Sequence, residues 1–208
     1  MKKIFSKLTT VQWLALALIV IGAAMMIPRA MGMLDFYKEV NYAVEHDFAA
    51  GNLSPDLVRP WMSIRYVASA YAVPQLYLYD AAQITPRKET SMLAINRINQ
   101  QMGLGQVNGE PALMGTIRDA IVAYRAEPVV TGLLEQEVED WMTVQYIANS
   151  TGVPAEAIFT GAEIPSDGNA NKPLGFLSRE LNYPGGQKAL VKAVQQVLDD
   201  LGVEPAHP

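Results

Sequence analysis

Between Lys7 and Arg29 the chain carries no charge, and Leu8 to Ile27 is a largely apolar run (LTTVQWLALALIVIGAAMMI). As a helix rising about 1.5 Å per residue, it spans about 30 Å, the thickness of a bilayer's hydrocarbon core. Pro28 ends such a helix and Arg29 can reach back to the interface. From Met33 to Phe48 the pattern changes. Apolar residues at Met33, Phe36, Tyr37, Val40, Ala43, Val44 and Phe48 recur every three or four positions, which predicts one buried helical face. Gly51 and Asn52 supply the chemistry that ends it.

Beyond that point the pattern is written twice. WMSIRYVASAYAVPQLYLYDAAQI starts at Trp61, and WMTVQYIANSTGVPAEAIFTGAEI starts at Trp141. Aligned without gaps from Leu53 and Leu133 through Ile84 and Ile164, the copies share Leu53, Val58, Trp61, Met62, Tyr66, Ala68, Val73, Pro74, Ala82 and Ile84 with their partners. Repetition at one period marks a supersecondary unit used more than once.

Each copy reads as two short helices around a tight turn. Ser63 and Thr143 predict N-caps, with Met62 and Met142 before them and Val67 and Ile147 after them placed as a hydrophobic staple. Gly152 suits a left-handed turn residue, whereas Ala72 predicts a different turn in the first copy. Pro74 and Pro154 are expected at the first position of the second helix.

Each half then continues with an apolar segment, Met92 to Ile98 or Leu174 to Leu181, that contains an arginine, Arg97 or Arg179. An amphipathic helix closes each half. The first is expected to start at Thr116 with Asp119 completing a capping box, and it carries Ile117, Ile121 and Tyr124. The second carries Leu190, Val194, Val197, Leu198 and Leu201 up to Gly202. Gly103, Gly105 and Gly109 predict a loop whose counterpart is PSDGNANKP, Pro165 to Pro173, and Arg125 to Pro128 is the expected joint.

These elements define an all-α chain. Its parts are an N-terminal tip and transmembrane helix (1–28), a juxtamembrane amphipathic helix (29–52), two helical repeats (53–126 and 127–204) and a tail (205–208). The repeat is defined by Trp61, Met62, Ser63, Tyr66, Ala68, Val73 and Pro74 and by Trp141, Met142, Thr143, Tyr146, Ala148, Val153 and Pro154.

Charge sets the orientation. Lys2, Lys3 and Lys7 precede the apolar run. Of 16 basic residues 13 follow it, against 21 acidic ones, so the body carries 13 − 21 = −8. The rule that positive flanks stay inside predicts a single-pass protein of the cytoplasmic membrane, N-terminus in, with its body extracytoplasmic. Ala30 to Gly32 would also serve as a cleavage site if the run were a signal peptide. There is no cysteine, hence no disulfide or thiolate metal site.

The runs SIRYVASAYAVP and TVQYIANSTGVP resemble the core of helix-turn-helix domains over about 20 residues per copy. That resemblance implies a local helical shape, and it admits a membrane-tethered regulator that binds DNA in the cytoplasm. The helices that would enter the groove read PQLYLYDAA and PAEAIFTGA, with no positive charge, and an acidic body does not suit phosphates.

At three matched positions the first copy carries apolar bulk where the second is small or polar: Tyr71, Leu76 and Tyr77 stand opposite Thr151, Glu156 and Ala157. Either the Met33–Phe48 helix packs there, or these residues form a partner-binding patch, because tyrosine at an otherwise polar surface position commonly anchors an interface. Catalytic chemistry has no foothold in the pattern: there is no GxSxG, P-loop, GxGxxG or HExxH. His46, between Glu45 and Asp47, reads as a solvated helix face, and His207 lies in the tail. EQEVED, Glu135 to Asp140, supplies negative charge ahead of the following helix, with a weak divalent-cation site as the alternative. MMIPRAMGM reads as interfacial filler rather than a thioether copper site. The expectation is therefore a non-catalytic accessory or scaffold protein, with no cofactor, metal or small-molecule ligand, that holds a protein partner at the membrane surface.

Overall fold

A computed structural model of the chain describes residues 51–203 together with Tyr42, Glu45, His46 and Asp47. The expected membrane helix Leu8–Ile27, most of the 29–52 segment and the 205–208 tail lie outside the described residues. Among the described residues no helix is long and apolar enough to cross a membrane.

The described chain is mostly helical. A 3-10 turn, Pro55–Leu57, precedes α1 (Ile64–Tyr71), α2 (Gln75–Ala81), α3 (Lys88–Met92) and α4 (Ile95–Gln101). A hairpin of β1 (Gln106–Val107) and β2 (Glu110–Pro111) leads into α5 (Ala112–Ala126). The second half comprises α6 (Val144–Thr151), α7 (Ala155–Gly161), α8 (Leu174–Glu180) and α9 (Gly186–Asp200).

The two halves repeat backbone chemistry as well as sequence. The Ser63 hydroxyl accepts from the Tyr66 N–H at 3.1 Å and the Thr143 hydroxyl from the Tyr146 N–H at 3.0 Å, which closes the same orphan donor at each first turn. Met62, Val67, Met142 and Ile147 are all buried beside those caps. At the far end of the second helix, Ile84 N–H donates to the Tyr79 carbonyl and Ile164 N–H to the Phe159 carbonyl. Gln83 and Glu163 take the left-handed conformation there, with φ of 53° and 55°.

The fourth strip of chain is tied down identically in both halves. Ile95 N–H bonds the Met62 carbonyl and Leu174 N–H the Met142 carbonyl, while Asn96 reaches Pro60 and Gly175 reaches Asp140. These bonds match 95 to 174 and 96 to 175, one residue fewer than the 80-residue period upstream. Arg97 and Arg179 are therefore not counterparts, although both are exposed. Helix α5 packs on α2 and α4, and α9 packs on α7 and α8, so one long helix closes each half over its shorter ones, four in the first half and three in the second.

Several expected details are corrected. Ala72 makes the same turn as Gly152 despite its Cβ, with φ 51° against 80°. Pro74 and Pro154 sit one residue earlier than expected, as extended caps with ψ of 132° and 133°. The first closing helix begins at Ala112, leaving Thr116 inside it, and ends at Ala126 within the expected joint. Its open first turn is served from α4, where the Asn99 side chain accepts from the Leu113 N–H at 3.0 Å and donates to the Gly105 carbonyl.

The glycine-rich stretch is a hairpin and not a plain loop. Asn108 and Gly109 both have positive φ, 53° and 82°, the pairing that a two-residue turn between twisted strands demands. Pro165–Pro173 is not its counterpart; it joins α7 to α8, where the first half has α3. Leu53 is buried while Leu133 is exposed and Leu134 takes the inner place, so the gapless alignment slips by one residue before Val58 and Val138.

Candidate functional site

The three residues that distinguish the first copy do not form one surface. Tyr71 is buried, at 4% exposure. Its hydroxyl donates to the Ser54 carbonyl at 3.0 Å, and the Arg125 guanidinium lies 5.6 Å from its ring centre. Arg125 also donates to the Leu53 carbonyl at 2.7 Å, so this pair pins the start of the repeat to α5. Tyr77 meets Tyr124 edge to face at 5.3 Å and, like Leu76, is half-buried. Among the described contacts, Arg125 and Tyr124 of α5 lie against Tyr71 and Tyr77; most of the Met33–Phe48 segment lies outside the described residues. Only Leu76 and Tyr77 remain at the surface, and their counterparts Glu156 and Ala157 are exposed and half-buried.

The repeat-defining aromatics make the same pair in each half. Trp61 meets Tyr66 at 5.6 Å and 54°, and Trp141 meets Tyr146 at 5.3 Å and 52°. The second pair also carries the contact between halves. Arg65 of α1 stands 5.5 Å over the Trp141 ring and 3.8 Å from Glu139, whose carboxylate accepts from the Trp141 indole N–H at 2.8 Å. Nearby, Ser69 donates to the Trp141 carbonyl at 2.8 Å and Asn149 donates to the Ala72 carbonyl at 2.6 Å. These bonds seat α1 against α6.

Behind that contact is a polar cluster that the sequence pattern did not single out. Tyr79 and Tyr146 are buried at 1% and 2% exposure, and Gln75 and Ser150 are buried with them. Gln75 Nε2 donates to the Tyr79 hydroxyl at 2.9 Å. The Tyr146 hydroxyl lies against the Gln75 backbone and beside Ser150, whose Oγ has no aligned hydrogen bond. Burial first, and then the Glu135 charge, raises both tyrosine hydroxyls well above their ordinary range. Glu135 is half-buried, its Oε1 out of contact with solvent and without a partner, and burial pushes its carboxyl up to about 7. The acidic run is therefore not uniform: Glu135 turns inward, Glu137 is exposed and Glu139 engages Arg65 and Trp141.

The sequence signals for the cluster are the exchange of Tyr79 for Phe159, which conserves bulk and changes a hydroxyl, and the polar Gln75 and Ser150 opposite Ala155 and Ala70. Elsewhere, a shallow groove of about 390 Å³ lies between Glu137–Asp140 and the α9 face carrying Lys188 and Lys192. Hydrogen bonds from Gln187 to Asp140, and from the Val138 N–H to Gln195, bridge it. Among the described residues no group of three His, Cys, Asp or Glu side chains is placed to hold a metal ion. Compared with protein families, curated proteins and solved structures, the chain matches none.

Proposed function

We propose that this chain is a single-pass, N-in membrane protein whose extracytoplasmic helical repeats serve as a non-catalytic scaffold, holding a protein partner at the membrane surface. The carrying observation is the inequality of two copies built on one framework. Where the second repeat presents Glu156 and Ala157, the first leaves Leu76 and Tyr77 partly exposed, and aromatic and apolar residues of this kind supply most of the energy at protein interfaces. The uncharged Leu8–Ile27 segment behind Lys2, Lys3 and Lys7 supports the anchor and its orientation.

The rival reading, a cytoplasmic helix-turn-helix regulator on DNA, would present α2 or α7 to phosphates. The exposed charges on those helices are Asp80 and Glu156, the wrong sign.

A reporter fused after Pro208 tests the orientation: alkaline phosphatase activity is expected, and cytoplasmic fluorescence would favour the regulator. Leu76→Glu with Tyr77→Ala, which installs the second repeat's residues, tests the surface. Partner co-purification from membranes should be lost. The melting temperature should fall by no more than about 5 °C, because one edge-to-face aromatic contact contributes about 0.5–1.5 kcal/mol and each kcal/mol moves a chain of this size by about 2–4 °C. Retained co-purification refutes the surface.

A further inference from the structure

The first half contains a piece that the repeat framework does not require. Between α4 and α5 it inserts residues 102–111 with their hairpin, whereas α8 passes to α9 through residues 181–185 alone. The insertion is braced at its base. The Asn99 side chain holds the Gly105 carbonyl and the Leu113 N–H, and Glu110 pairs with Arg118 of α5 at 2.6 Å. Beyond that base it carries Met102, Leu104 and Val107, all exposed, Val107 at 61%.

The chemistry of this tip suits a lipid surface. Residues 98–109 carry no charge, and the acid that follows them, Glu110, is held by Arg118. The backbone is largely satisfied within the insertion. Leu104 N–H donates to the Asn99 carbonyl and Ala112 N–H to the Gly105 carbonyl, beside the pairing of β1 with β2. The tip is convex as well: a Cβ built at Gly103, Gly105 or Gly109 would meet nothing within 4 Å. Exposed apolar side chains on an uncharged projection mark a surface that enters another phase or a partner.

Charge and tether decide between those. Residues 53–126 hold 7 basic and 5 acidic side chains, 7 − 5 = +2, while residues 127–204 hold 4 and 12, 4 − 12 = −8. Anionic headgroups therefore repel the second half and accept the first. Arg97, exposed and in no ion pair among the described residues, directly precedes the uncharged stretch. Gly51 follows Ile27 by 24 residues, a reach of no more than about 85 Å fully extended. A tip so tethered meets the bilayer without diffusing to it from solution.

We propose that the hairpin of the first repeat is a lipid-contacting wedge, which inserts Met102, Leu104 and Val107 into the headgroup boundary of the membrane that anchors the chain. This rests on the anchored reading above and adds to it the half of the body that faces the bilayer.

The chain has no cysteine, so Leu104→Cys, Val107→Cys and, on exposed Phe176 of α8, Phe176→Cys each carry a single nitroxide. Full-length labelled chains are reconstituted into vesicles of phosphatidylcholine mixed with phosphatidylglycerol, with a water-soluble nickel relaxation agent on both sides of the vesicle wall. Flotation with the vesicles reads the anchor, and electron paramagnetic resonance reads the hairpin. Labels at 104 and 107 should lose most of the nickel access that the label at 176 keeps, and should gain access to dissolved oxygen. Floated chains whose labels are equally accessible at all three positions overturn the wedge and leave the anchor standing. Chains that do not float overturn both. Labels at 104 and 107 that are shielded in native membranes but open to nickel in the pure lipid vesicles assign the tip to a protein and overturn the wedge.

Discussion

One position occurs twice in this fold with different residues, and that permits a worked prediction. Gly152 ends α6 at φ 80°, ψ 0°, and Ala72 ends α1 at φ 51°, ψ 38°. Placing an L side chain in the left-handed region costs about 1–2 kcal/mol. Gly152→Ala incurs that cost and recovers about 0.4–1 kcal/mol from a stiffer unfolded chain. Its new Cβ would stand 3.1 Å from Val130 Cγ1, a side chain 55% exposed and able to yield. The net loss is about 1 kcal/mol, or a fall of about 2–4 °C in melting temperature. Ala72→Gly relieves the same strain, but it gives up a methyl that is 7% exposed, worth about 0.8 kcal/mol, and adds unfolded entropy. Those contributions cancel to within about 0.5 kcal/mol. Thermal melts of the full chain in micelles, followed by circular dichroism, compare the two. A neutral Gly152→Ala, or an Ala72→Gly gain above about 1 kcal/mol, would refute the shared-turn reasoning.

Gly161→Ala should be worse, because its Cβ would fall 2.5 Å from Val197 Cγ2, and a β-branched neighbour has little rotamer freedom. A loss of about 1–3 kcal/mol in denaturant midpoints is expected, while Ala81→Gly at the exposed counterpart should cost less than about 1 kcal/mol. A double-mutant cycle with Arg65→Ala and Trp141→Leu should return a coupling of about 0.5–1 kcal/mol for the cation over the ring; a coupling indistinguishable from zero would remove that contact from the seam. Tyr71→Phe should cost about 1 kcal/mol through the lost bond to the Ser54 carbonyl, and calorimetry showing no change would mean that the hydroxyl was not bonded there.

Local chemistry was readable from the sequence wherever its cause lay within a few residues. Ser63 and Thr143 cap helices because a hydroxyl meets an orphan N–H three residues on, and the apolar spacing of Leu190, Val194 and Leu198 placed the inner face of α9. Errors arose where a distant partner decided the outcome. The start of α5 moved from Thr116 back to Ala112 because the Asn99 side chain and the hairpin supply that end. The N-G turn was a local signal overlooked beside the neighbouring glycines. The sequence left Tyr71 open between a covered and a surface place, because helical periodicity shows which residues share a face and not what covers it, and Arg125 lies over its ring. The seam of Glu135, Tyr79 and Tyr146 joins residues separated by up to 67 positions (146 − 79), beyond any pattern of period two or 3.6.

The claim that the first repeat, and not the second, faces a partner is tested most directly by a photo-activatable residue placed at Leu76 and, in a separate full-length chain, at Glu156, irradiated in intact membranes. A discrete crosslinked product from position 76 that is absent from position 156 is the predicted result. Equal products from both positions, or none from position 76, would contradict it.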